Sequence, residues 1–281
     1  MHGFWCTPII EVYKAMNKIK AAKAPRVCGI YPEYIQHGGS DALRTLHKIV
    51  TQVWKEEVVP EEWHQGIIIS LYKGKVSKSE CSNYRGITLL SVPGKVFAHI
   101  ILARIKPTLL SHRRPQQSGF TPGRSTCDRI ATFKCNIEQW RQDFGYPTFA
   151  AFVDLCAAFD SLSRSALWLL LTRLGILDKI VRLFRVLYDN SVSCVWTGGT
   201  HSSWFKIKAG VCQGCVLAPD SFATGMMGCW TGLLNHARLG WRLARAPSLI
   251  WICWRCLSLV VTNGIYQWVI DTWWLTVSVC D

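Results

Sequence analysis

Acidic side chains are scarce in this chain: 18 Asp and Glu stand against 32 Lys and Arg over 281 residues, a formal net charge of +14. That imbalance favours a polyanionic partner, because each neutralised phosphate releases condensed counterions. Regular cysteine spacing is absent too; the thirteen cysteines are odd in number and irregularly placed, which excludes a disulfide framework. No apolar leader segment opens the chain, where MHGFWCTPIIEVYKAMNKIK turns at once into a lysine-bearing amphipathic pattern. An intracellular, reducing setting is therefore expected, in the nucleus or cytoplasm. Long hydrophobic runs are missing as well. The most apolar stretch, 257–279, is interrupted by Asn263, Gln267 and Asp271, so no membrane span is expected. Repeats and low-complexity tracts are also lacking, and 49% hydrophobic with 12% aromatic residues leaves ample material for a core.

Periodicity divides what is present into helices and strands. Ile9, Val12, Ala15, Met16 and Ile19 recur at helical spacing within 8–24, and further helical patterns cover 41–56, 92–110 and SRSALWLLLTRLGI. Strands are expected over Gly66–Tyr72 and 149–155, and SVSCVWTG with SSWFKIKAGV reads as a strand pair turning at Gly198–Thr200. Helices and strands mix without a βαβ rhythm, so the expected class is α+β.

Four segments carry chemistry. Asp154 ends the apolar run AFVDL, and a carboxylate there is costly to bury unless a cation pairs with it. Polymerase-type phosphoryl transfer needs such carboxylates to hold two metals. Phe159, five residues on, would sit on the adjoining turn where it can crowd a sugar. In AGVCQGCVLAP, Gly210 and Gly214 permit close backbone approach and Gln213 offers an amide, which suits a loop beside a nucleotide. Arg124 lies on the turn of SGFTPGRSTCDR ahead of a helix, a plausible phosphate contact, and Arg85 precedes a strand-like run in NYRGITLL. Taken singly, each has a plainer reading as a strand-end cap or a glycine-containing connection.

In this order the segments resemble the reverse transcriptases of non-LTR retrotransposons, over roughly residues 9–226. The matching blocks are PEEWHQGIIISLYKGK, CSNYRGITLLSVPGKVFAHIILARI, QQSGFTPGRSTCDRI, AFVDLCAAFDSLSRSALW and GVCQGCVLAP. The resemblance implies a right-hand fingers-and-palm polymerase that copies an RNA template onto a DNA primer from deoxynucleotides, with Mg²⁺. It implies fingers over 1–148, a partial palm over 149–226 and an aberrant, irregular tail over 227–281. Asp154 would be the first metal-binding aspartate, with Leu155 facing the metal and nucleotide through its backbone. Phe159 would exclude a ribose 2′-hydroxyl, Gln213 and Gly214 would adjoin the incoming nucleotide, and Arg85 and Arg124 would meet nucleotide phosphates and template. Where Cys212 and Cys156 stand, the family usually carries basic or polar residues.

The resemblance breaks off before the aromatic-Ala-Asp-Asp box that would supply the other metal ligands, since no Asp-Asp pair follows Pro219. From Met227 onward only Asp271 and Asp281 are acidic, and seven of the fourteen tryptophans crowd into this tail. The genetic code allows the family's strings in neighbouring frames. GCWTGLL (228–234) is compatible with Leu-Asp-Arg-Thr-Thr, PSLIW (247–251) with Phe-Thr-Asp-Leu-Asp, and ICWRC (252–256) with Phe-Ala-Gly-Asp-Val. A frameshift near Met226–Met227 is therefore expected, and with it an inactive polymerase domain or a non-catalytic nucleic-acid-binding remnant. The pairs Cys212–Cys215 and Cys253–Cys256 have zinc-like spacing, but they fall in the nucleotide loop and the suspect tail, so no zinc site is expected.

Overall fold

A computed structural model describes residues 6–21, 28–74, 77–144, 150–155, 157–228, 250–253, 259–261 and 275–280, the short strands at 150–155 and beyond 249 through their backbone. It divides into two compact units that interleave in sequence: Met1–Leu109 with Phe159–Ser221, and Leu110–Ala158 with Phe222–Asp281.

The first unit is built around a helix that is apolar nearly all round. This is α4 (Val92–Ser111), whose Val96, Phe97, Ile100, Ile101 and Ile105 are all at most 1% exposed. A helix with no polar face has to lie inside its domain. Around it stand α1 (Ile9–Met16), α2 (Pro32–His37) and α3 (Gly39–Glu56). Helical spacing turns Leu46, Val50, Val53 and Trp54 of α3 into the shared core. Arg104 of α4 lays its guanidinium 4.2 Å from the centre of the Trp54 ring and pairs with Glu11 at 2.9 Å, which ties α1, α3 and α4 together. Later in the chain, α6 (Arg164–Arg173) and α7 (Asp178–Val186) join this core through Leu167, Leu171, Leu183 and Phe184. Arg182 of α7 grips Glu57, the left-handed C-cap of α3, through two hydrogen bonds of 2.7 and 2.8 Å.

The unit's sheet has the order β2-β1-β4-β5, with β6 also on β4. β1 (Gln65–Tyr72) runs antiparallel to β2 (Tyr84–Leu90) and parallel to β4 (Val192–Thr197). β5 (Thr200–His201) and β6 (Phe205–Lys206) turn back onto β4, as the paired pattern around Gly198–Thr200 leads one to expect.

In the second unit, α5 (Thr126–Phe144) starts at a reciprocal cap. Asp128 N–H donates to Ser125 Oγ at 3.1 Å, and Ser125 N–H donates to the Asp128 carboxylate at 2.9 Å. These bonds hold the Asp128 carboxyl below its ordinary range. β3 (Ala150–Leu155) is central in a sheet of order β8-β7-β3-β9, parallel to β7 (Ile250–Cys253) and antiparallel to β9 (Leu275–Cys280), with β8 (Leu259–Val261) outside β7. Three strands thus lie in the tail, where an irregular course is expected; short β-branched runs such as LVV and LTVSV carry strand propensity whatever their origin. A helix over 218–228 lies between β6 and β7 in sequence. Met226–Met227, the suspected break, lies within it.

Candidate active site

The loop 210–216 lies along the open edge of β2. Thr88, in the middle of that edge strand, donates its N–H to the Gln213 carbonyl at 2.7 Å, so an edge donor finds its partner in the loop. Next to it, the Arg85 Nε donates to Gln213 Oε1 at 2.9 Å. Two residues singled out separately in sequence are therefore one hydrogen-bonded pair. Gly214 explains the closeness: its φ is +120°, and a Cβ there would stand 2.4 Å from the Thr88 carbonyl oxygen. At the other end of the loop, Gly210 N–H donates to Leu162 O at 2.9 Å and Val211 N–H to Phe159 O at 2.8 Å. Gly210 has φ +78°, and a Cβ there would meet the Asp160 backbone at 2.4 Å. Phe159 itself is half-buried against the core.

A residue that sequence reasoning passed over anchors this loop. The half-buried Arg164 donates from Nε to Gly210 O at 2.9 Å, from one Nη to Tyr188 O at 2.6 Å, and from the other to Ser191 Oγ at 3.1 Å. Its guanidinium lies 5.2 Å from the centre of the Tyr188 ring. Burial works against its charge. The signal for it was present in the sequence. Arg164 is the first residue of α6 after the cap Ser163, where a helix dipole disfavours a cation, so its place there calls for another partner.

Cys212 and Cys215 face inward. Burial pushes the Cys212 thiol up to about 12 and raises that of Cys215. Of the second pair, Cys256 lies outside the described residues. Among the described residues no cluster of three or more His, Cys, Asp or Glu is placed to hold an ion.

Asp154 and Leu155 belong to the second unit, as the last two residues of β3; Asp154 is paired with Thr276 and Leu155 with Leu275. Arg124 lies in that unit too, exposed, with its N–H on Thr121 O at 3.3 Å. The turn before it presents Phe120 at φ +57° and 45% exposure, its carbonyl accepting from Arg113. So the structure joins Arg85, Gln213, Gly214 and the Phe159 backbone in one site of the first unit, and places Asp154, Leu155 and Arg124 in the second. Among the described residues no helix is long and apolar enough to cross a membrane.

The family model described as reverse transcriptase (RNA-dependent DNA polymerase) matches residues 74–243. A probable RNA-directed DNA polymerase from transposon BS of Drosophila melanogaster is 24% identical over 219 residues, 74% of this chain and 23% of that protein. The putative 115 kDa protein of the type-1 retrotransposable element R1DM, also from Drosophila melanogaster, is 30% identical over 168 residues, 59% of this chain and 16% of that protein. The chain thus spans less than a quarter of the length of these relatives. Among solved structures, apo telomerase from Candida tropicalis truncated from the C-terminal domain superposes with a TM-score of 0.42 at 15% identity, covering 78% of this chain and 48% of that one.

Proposed function

Since the chain belongs to the reverse transcriptase (RNA-dependent DNA polymerase) family, with relatives in non-LTR retrotransposons, we propose that it is the nucleotide- and template-binding part of an RNA-directed DNA polymerase whose metal centre is incomplete. The observation that carries the binding half is the Arg85–Gln213 pair. A guanidinium has five N–H donors. One is committed to Gln213, which fixes the side chain and leaves the others for the phosphates of an incoming deoxynucleotide. Gly214 and Gly210 keep the loop close enough for that geometry, Phe159 stands by the sugar, and Arg124 meets the template strand. Fingers over 1–148, a partial palm over 149–226 and a tail over 227–281 follow from the same reading.

Family members use divalent metal ions for phosphoryl transfer. The donor set among the described residues does not fit them. Asp154 is the one carboxylate on β3, and β7, β8 and β9, which complete its sheet, contain no Asp or Glu. Mg²⁺ would meet one carboxylate where two ions need several. The consequence is binding without transfer, and a frameshift near Met226–Met227 accounts for the loss. The test is direct. A labelled RNA template–DNA primer and deoxynucleotides should bind in a salt-sensitive manner, with no Mg²⁺-dependent primer extension. Extension that Asp154→Ala abolishes would overturn the inactive reading, and nucleotides around codon 226 lacking the family's strings in other frames would overturn the frameshift.

A further inference from the structure

The first unit's sheet is packed at one end, where Gly66, Thr88 and Ser193 on one face and Cys194 on the other are all buried. Toward the other end the register gathers a more exposed set on the Cys194 face: Ile69 pairs with Trp196 on one side and Ile87 on the other, and Leu71 pairs with Arg85. Leu71 is 47% exposed and Trp196 41%, and Arg85 is exposed beside them. Two strand spacings and one two-residue step separate Arg85 from Trp196, roughly 12 Å. Charge on this face has one sign. None of β1, β2, β4, β5 and β6 contains Asp or Glu, while Lys206, opposite Val192, falls on the same side as Trp196, and His201 lies directly across from it. An exposed aromatic and aliphatic strip edged by cations is what unpaired bases on a phosphate backbone require; a duplex hides its bases.

We infer that Trp196 is a base-stacking residue, and that an unpaired stretch of RNA crosses this sheet face from Arg85 to Trp196. Trp196 lies outside every motif that carries the family resemblance. The inference rests on the template-binding reading above, and extends it from the nucleotide loop to the far side of the sheet. Lys206 supplies a backbone contact and Trp196 the stacking contact, so the two respond differently to salt.

The experiment is a fluorescence-anisotropy titration of the full chain with a fluorescein-labelled single-stranded oligouridine RNA at several salt concentrations. Trp196→Thr keeps strand propensity and removes the ring; it should weaken binding by about fivefold or more with an unchanged salt slope. Trp196→Phe should restore most of the affinity. Lys206→Ala should lower the salt slope by about 0.7, whatever the stability of the tryptophan variants. Equal binding by Trp196→Thr and the unaltered chain, an unchanged slope for Lys206→Ala, or an RNA duplex competing as well as the single strand would each overturn the inference. If the chain binds RNA and Arg85→Ala weakens it while Trp196→Thr does not, this inference alone falls. If the chain binds no RNA, the template reading falls with it.

Discussion

Arg85 and Gln213 are 128 residues apart in sequence, yet the Nε of one donates to the Oε1 of the other at 2.9 Å. Neither residue reaches the other through its own element. The contact exists because Thr88 holds the Gln213 carbonyl and Gly214 lets the loop close on β2. The two side chains should therefore behave as one unit in nucleotide binding. Arg85→Ala, Gln213→Ala and the double variant, compared by equilibrium deoxynucleotide binding, should give a coupling energy of about 0.5–1.5 kcal/mol. Strict additivity would mean that the bond is incidental.

Gly214→Ala puts a methyl 2.4 Å from the Thr88 carbonyl oxygen at a backbone angle of +120°. The clash is with backbone, which has little room to yield. Chemical denaturation should show a loss of about 2–4 kcal/mol, accompanied by weakened nucleotide binding. A stability within error of the unaltered chain would show that the loop does not sit against β2 as described.

Arg164→Lys keeps the charge and discards the fork. One compact ammonium does not replace donors spread over Gly210 O, Tyr188 O and Ser191 Oγ. About 1.5–3 kcal/mol of unfolding free energy should be lost, read by urea denaturation. Full stability in the lysine variant would leave the guanidinium geometry without a role.

His99, half-buried on α4, gives the pH prediction. Burial, with Lys18 and Lys95 adding to it, lowers its pKa from the ordinary 6.5 to about 4. A depressed folded-state value means that the unfolded chain takes the proton first. Stability attributable to this group is complete above pH 6.5 and declines as pH falls towards about 4. His99→Gln should flatten that part of a stability–pH profile, measured by denaturation midpoints; a profile that the substitution leaves unchanged would contradict it.

Much of the fold could be read from pattern alone. Gly66–Tyr72 is a run of β-branched and apolar residues and falls inside β1, and the apolar stretch 92–110 fills α4, whose burial nearly all round makes it apolar throughout. The 41–56 pattern likewise falls within α3. Shorter elements left less. α2 has six residues, behind turn-forming ones, and α7, though its buried Ile180, Val181, Leu183 and Phe184 share one face, has only nine. In the site, Arg85, Gln213 and Gly214 were legible as motif residues, but their meeting was not, since it depends on a loop crossing a sheet edge. Arg164 was missed for the same reason: its three acceptors come from two distant stretches of chain, 188–191 and Gly210.

The loop carrying Gln213 also occupies the hydrogen-bonding edge of β2, where Thr88 is flanked by Ile87 and Leu89. An apolar edge strand with free N–H groups is a template for another chain. Substitutions that loosen this loop should therefore surface as insolubility in the cell before they register as weaker nucleotide affinity. Drift at Gly210 or Gly214 would then be purged by aggregation even in a copy from which no polymerase activity is asked.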